Sequence, residues 1–183
     1  MNELSRTRIV RRLPRISEKQ ELKRTAHHVA GHAVVAWAQG VTLREISIVP
    51  VGKTAGHADI AQDLEVMMHH IDERTALKAK LLITCAGMRA ELRFNPKAAV
   101  RGGLVGIYQE VIDSWALVRR INETRNELPL CFLDDAIAET NALLEAYWSR
   151  VERLAEALLK HKTVSGTDAT AIIGGRTPTP CVD

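Results

Sequence analysis

The sequence predicts a predominantly α-helical α+β domain with one small β-sheet, and three observations carry that prediction. Aromatic residues make up only 4% of the 183 residues while hydrophobic residues reach 46%, so Ala, Leu, Val and Ile must fill the core, a composition that favours helices over a β-sandwich. Apolar residues recur at helical spacing through several long segments. Strand-like alternation is confined to short stretches near residues 44–50 and 57–60. Disorder and collagen-like repeats are excluded by the ordinary 26% of charged residues and the absence of internal repeats.

Taken in order, residues 1–17 read as a basic, flexible leader, residues 18–174 as a single domain and residues 175–183 as a loose tail. The first helix is expected from Glu18 to Gln39, with Gly40 as its stop and Ala26, Ala30, Ala33 and Trp37 on one buried stripe. Arg44 to Pro50 follows as a half-buried strand that turns Ile46 and Ile48 inward. Val51 to Gly56 is a turn, and His57 to Ile60 a second short strand. Helices are then expected from Asp63 to His70 and from Asp72 to Phe94, the second ended by Asn95-Pro96. After a loop with Gly102, Gly103 and Gly106, Tyr108, Val111, Ile112, Trp115 and Val118 form a helical stripe. Pro129 breaks the chain, one long helix covers Leu133 to His161, and Ser165 or Thr167 caps a short helix through Ile173.

Charge is uneven. Residues 1–24 carry eight Lys or Arg against three Glu, a net +5, so the remainder carries −2. Such an arm can bind phosphate backbones or anionic surfaces. No aromatic residues interleave with Arg6, Arg8, Arg11, Arg12 and Arg15, and no nucleic-acid motif follows, which argues against nucleic acid as a partner. The three cysteines, Cys85, Cys131 and Cys181, form neither a disulfide framework nor a Cys-x-x-Cys metal site. Reduced thiols and a cytoplasmic location are expected. No apolar run is long enough to span a membrane, and the longest uncharged run, Thr25 to Leu43, starts too late for a signal peptide.

The chemical signal lies in Ala26-His27-His28-Val29-Ala30-Gly31-His32. His28 and His32 are four apart on the first helix, so both rings project from one face, the spacing with which a helix offers two nitrogens to one zinc ion. The same spacing also occurs in exposed or capped pairs with no metal. His27 points about 100° away from His28 and is poorly placed to join the pair. His57, His69 and His70 are further candidates, with an exposed helix end as the ordinary reading of His69-His70. Cys85 reads as a buried core thiol.

The surroundings of the pair carry a resemblance. Ala26 to Trp37, followed by Ile46-Ser47-Ile48-Val49-Pro50-Val51-Gly52-Lys53, closely resembles the peptidase domain of FtsH-type ATP-dependent zinc metalloproteases. There the helix reads His-Glu-Ala-Gly-His-Ala. The likeness resumes at Ala86-Gly87-Met88-Arg89-Ala90-Glu91 and again at Val151 to Lys160 with Thr163-Val164-Ser165-Gly166 behind. It implies the fold of that peptidase domain over residues 18–174.

The resemblance also assigns roles. His28 and His32 stand at the two helical zinc ligands, whereas Val29 stands where the family places its general-base Glu. A valine cannot accept a proton, and a general base typically contributes about 10²- to 10⁴-fold in rate. The family's third ligand is an Asp in a Gly-x-Ser-x-Asp-Leu segment. Anchoring that segment on Gly106 puts Glu110 at the ligand position, and anchoring it on Gly102 or Gly103 puts Gly106 or Ile107 there. Glu110 and Asp113 also read as solvated helix positions.

The leading expectation is therefore a stand-alone, FtsH-like metallopeptidase domain without proteolytic activity, acting as a binding or scaffold module. The family's peptidase domains assemble as rings, so the resemblance implies self-association or a protein partner. One alternative is a zinc-dependent metallopeptidase with a rearranged site built from His28, His32 and Glu110. A second is a basic-arm binder of nucleic acid or anionic surfaces. Zinc is the cofactor the resemblance implies. No ATP site is expected in this chain, because the loop of Gly102, Gly103 and Gly106 lacks the Gly-Lys-Ser/Thr ending of a P-loop.

Overall fold

A computed structural model describes residues 17–52, 54–60, 73–96, 104–123 and 129–175. In chain order these form α1 (Glu18–Ala38), β1 (Leu43–Ser47), β2 (His57–Ile60), α2 (Glu73–Phe94), α3 (Leu104–Glu123), α4 (Pro129–Ala146), α5 (Trp148–His161), β3 (Thr163–Ser165) and α6 (Gly166–Gly174). The architecture is predominantly helical, with one three-stranded antiparallel sheet in the order β2–β1–β3.

Helix α1 is the central element and packs chiefly on α2 and α5. Its start is fixed by a capping box. The Ser17 hydroxyl accepts from the Gln20 amide at 3.3 Å, and the Gln20 side chain accepts in return from the Ser17 amide. Its end is a left-handed glycine, Gly40 at φ 75°, which lets the Gly40 and Val41 amides turn back to the carbonyls of Trp37 and Ala36. Between these ends Ala26, Val29, Ala30, Ala33, Val34, Val35 and Ala36 are buried in the main core with Leu81, Leu82, Ala86, Leu154 and Leu158.

The sheet lies beside α1. Ile46 and Ile48 of β1 and its extension point into the core, and Ile46 faces Ala58 on one side and Val164 on the other. Ser47, on the opposite face, is nevertheless buried: its hydroxyl lies 2.8 Å from that of Thr163 and accepts from the Val49 amide. Strand β3 is only three residues long and leads directly into α6, whose N-cap is Ser165, accepting from the Asp168 amide.

Several expectations change. The single helix foreseen from Leu133 to His161 is two helices, separated at Tyr147, whose backbone (φ −111°, ψ 16°) leaves the helical region. The cause is tertiary. Tyr147 meets the edge of Trp37, and the Arg150 guanidinium stacks over both rings at 4.7 and 5.0 Å. Pro129 opens α4 instead of interrupting the chain, which suits a residue lacking an amide hydrogen at a first helical position. In α3 the inward face is Ser114, Leu117, Val118 and Ile121. Ile112 and Trp115, expected on the buried stripe, are 54% and 40% exposed. Helix α3 begins at Leu104, so Gly106 lies in its first turn and not in a loop. The leader through residue 16, the expected helix from Asp63 to His70 and the tail from residue 176 lie outside the described residues. Among the described residues no helix is long and apolar enough to cross a membrane.

Candidate metal centre

The facing stripes of α1 and α2 build the site. On α1, Glu21, Arg24, His28 and His32 recur every three or four residues, and on α2, Ile83, Gly87 and Glu91 recur every four, so each set lies along one face. The His32 Nδ1–H donates to the Ile83 carbonyl at 2.7 Å. His28 Nδ1 lies 3.3 Å from Glu91 Oε2, an oxygen that can only accept when ionised. Both rings are thereby turned so that their Nε2 atoms face each other at 3.2 Å. The ring centroids are 4.8 Å apart and the planes nearly perpendicular, at 75°.

Two nitrogens alone do not make a metal site, but the geometry of this pair bears on whether it can contribute two ligands. With each Nδ1 donating outward, two Nε2 lone pairs oppose one another, and a proton or a cation between them relieves that repulsion. Two nitrogens bound tetrahedrally to zinc at about 2.0–2.1 Å are separated by about 3.3 Å, close to the observed spacing. The outer partners are of the types that orient zinc-binding histidines: a carboxylate for one ring and a backbone carbonyl for the other. Gly87 makes room for the pair. A Cβ at that position would lie 2.2 Å from His32 Nε2 and 2.6 Å from His28 Nε2, so the rings rest directly on bare backbone.

Behind the pair the polar groups continue. Arg24 donates to Glu91 Oε1 from Nε at 2.9 Å and from Nη2 at 2.7 Å, and both side chains are at most 7% exposed. Its Nη1 reaches Glu21 Oε2 at 3.0 Å. Arg24 was counted above with the basic segment. Because it is buried and paired, it contributes little to a solvent-facing basic surface.

The other candidates are placed as follows. His27 turns to the opposite side of α1, where it stacks on Phe94 at 3.7 Å and lies 6.0 Å from Trp148, with its Nδ1–H donating to the Lys23 carbonyl. Burial holds its imidazole below the ordinary 6.5, against the opposing pull of the Lys23 carbonyl and of the Glu152 charge. Val29 is 2% exposed in the apolar core. Cys85 is also buried, its Sγ 3.6 Å from the Ser114 hydroxyl. His57 lies on β2, 3.5 Å from Glu45 Oε1. Asp113 is exposed on α3. Glu110 belongs to α3 by its backbone, but its side chain lies outside the described set, as do His69 and His70. Among the described residues no group of three His, Cys, Asp or Glu could hold a metal ion. Glu91 does not complete such a group because it meets His28 at Nδ1, on the side away from His32.

Arg24, Gly87 and Glu91 received no role from sequence alone. The available signal was their phase: Arg24 is one turn before His28, and Gly87 and Glu91 are one turn apart.

A helix carrying two histidines four apart, each held from behind, is an arrangement that fits a metallopeptidase-like relationship without defining one. The comparisons agree at that level. The chain is 24% identical, over 91% of its length, to an ATP-dependent zinc metalloprotease YME1 homolog of Caenorhabditis elegans. It is 26% identical over 90% of its length to an ATP-dependent zinc metalloprotease FtsH of Rhodococcus erythropolis, and 35% identical over 44% to one of Corynebacterium glutamicum. These alignments cover 28%, 23% and 9% of the respective relatives, so the chain spans about a quarter or less of their length. No family model matches the chain. The similarity supports an FtsH-related, metallopeptidase-like relationship.

Proposed function

We propose that this chain is an FtsH-peptidase-like module that holds zinc through His28 and His32 without hydrolysing peptides, and that serves as a binding or scaffold module for a protein partner or a second copy of itself. The observation that carries the reading is the contrast between the intact histidine pair and Val29. The pair has the spacing of two helical ligands, an outer partner for each ring and a glycine floor. The next position along the helix, where the related enzymes are expected to carry a base, is a buried valine. His28 and His32 bind, Glu91 and the Ile83 carbonyl hold the two Nδ1 protons, and Glu110 on α3 is the candidate third ligand. Zinc, when bound, supplies Lewis acidity to a carbonyl or a water molecule. The Val29 side chain is unable to take the proton that hydrolysis must move.

The test is the zinc content of the purified chain by elemental mass spectrometry, with His32→Ala alongside, and cleavage of unfolded casein with added zinc. The expected result is close to one zinc per chain, lost in the variant, and no cleavage above the variant's background. A chain that takes up no zinc overturns the metal half of the reading. Zinc-dependent cleavage that disappears in His28→Ala overturns the inactive half. It would favour the second reading, a peptidase with a rearranged site, for which the outer partners holding both rings speak.

A further inference from the structure

Arg24 is one turn before His28, and it binds the carboxylate that meets the His28 ring. Two of its nitrogens converge on Glu91 Oε1, at 2.9 and 2.7 Å, which directs the other oxygen, Oε2, to His28 Nδ1. Its third guanidinium nitrogen, Nη1, is tied to Glu21. Only the planar fork of an arginine can face a buried carboxylate with one edge and a second carboxylate with the other. A lysine offers one compact ammonium. Stability alone is a weak reason for such a pair, because desolvating two charges consumes much of their attraction, and apolar replacements are often neutral or stabilising.

We infer that Arg24 is a positioning residue of the metal centre: by holding Glu91 it fixes the ring orientation and Nδ1–H tautomer of His28, and so aims the Nε2 lone pair at the metal. The inference rests on the zinc-binding reading above. It adds a layer behind the carboxylate, so that the order of action is Arg24, Glu91, His28 and the ion.

Two variants test it in the full chain. Arg24→Lys keeps the charge and removes the fork. Arg24→Met combined with Glu91→Gln removes both charges, leaves an acceptor near His28 and avoids a buried unpaired carboxylate. Zinc affinity is read by competition with a chromophoric chelator, coordination geometry by the visible bands of the cobalt(II) form, and folding by thermal melting of the metal-free chain. Expected are metal-free melting temperatures near that of the wild type for the double variant, zinc Kd values raised about 10- to 100-fold, and altered cobalt bands. Wild-type affinity and an unchanged cobalt spectrum in both variants overturn the role of Arg24, as does a loss of affinity that only tracks a loss of folded chain. A wild-type chain that binds no zinc overturns the site reading itself, and that outcome is visible before any variant is made.

Discussion

His27 and His28 are consecutive residues of one helix, and their surroundings share almost nothing. His27 stacks on Phe94 and lies 6.0 Å from Trp148, with the Arg93 guanidinium 5.0 Å above the Trp148 ring, and burial keeps it neutral more firmly than an ordinary histidine. His28 faces a carboxylate on one side and a second imidazole on the other. The step of about 100° per residue sends the two rings to different neighbours. One face of α1 meets the aromatic seam near the end of α2 and the start of α5. The other meets the stripe of Ile83, Gly87 and Glu91. The lesson is that a histidine's chemistry here is set by the opposite helix. The same partition accounts for Val29, whose direction along α1 leads into the apolar core.

The largest effect should come from closing the gap under the pair. Gly87→Ala places a methyl carbon within 2.6 Å of both Nε2 atoms, so the rings must move off α2. Zinc affinity should fall beyond the roughly 100-fold range expected of outer-partner changes, while overpacking destabilises the chain by about 1–3 kcal/mol. Chelator competition and urea unfolding measure the two separately. Near-wild-type zinc binding would show that the two sides of α1 are less distinct than the geometry implies.

A smaller effect, and on stability instead of binding, is expected from Val29→Glu. The substitution introduces the residue type that the resemblance implies at this position but places a carboxylate where the side chain is 2% exposed among apolar neighbours. Urea unfolding at neutral pH should show a loss of at least about 2 kcal/mol. Casein cleavage should remain at background. Recovered zinc-dependent cleavage would mean that this carboxylate reaches the metal side of the helix after all, and the partition of α1 would fail.

Much of this arrangement was legible in the sequence where the signal is local. The limits of α1 to within a residue, its Gly40 stop, the inward Ile46 and Ile48, and the Ser165 cap all follow from residues close in the chain. So does the shared face of His28 and His32. What stayed hidden depends on distant partners. Tyr147 divides α4 from α5 because it meets Trp37, 110 positions earlier. Three residues of β3 carry too little periodicity to be seen without β1 beside them. Arg24 looked like part of a basic arm until Glu91, 67 residues away, was placed against it. The third ligand depends on Glu110, whose side chain lies outside the described residues, so α3 leaves the sequence reading of that position as it was.

The smallest predicted effect isolates the aromatic side of the comparison. The folded chain holds the His27 pKa below 6.5, chiefly because burial disfavours the charged ring. Unfolding restores the ordinary value, so below pH 6.5 the unfolded chain binds a proton that the folded chain refuses, and stability must fall with pH. The contribution is intact above pH 6.5 and is lost progressively as pH drops through the folded pKa. His27→Phe retains a ring against Phe94 and Trp148 but has nothing to titrate. It gives up the bond to the Lys23 carbonyl, a cost of about 0.5–1.5 kcal/mol that does not depend on pH. Urea midpoints of wild type and variant, measured with a chelator present from pH 7 to about pH 5, should therefore converge as pH falls, while zinc affinity at pH 7 stays that of the wild type. Parallel curves would place the His27 proton outside the folding equilibrium, and a variant with weakened zinc binding would show that the two faces of α1 communicate.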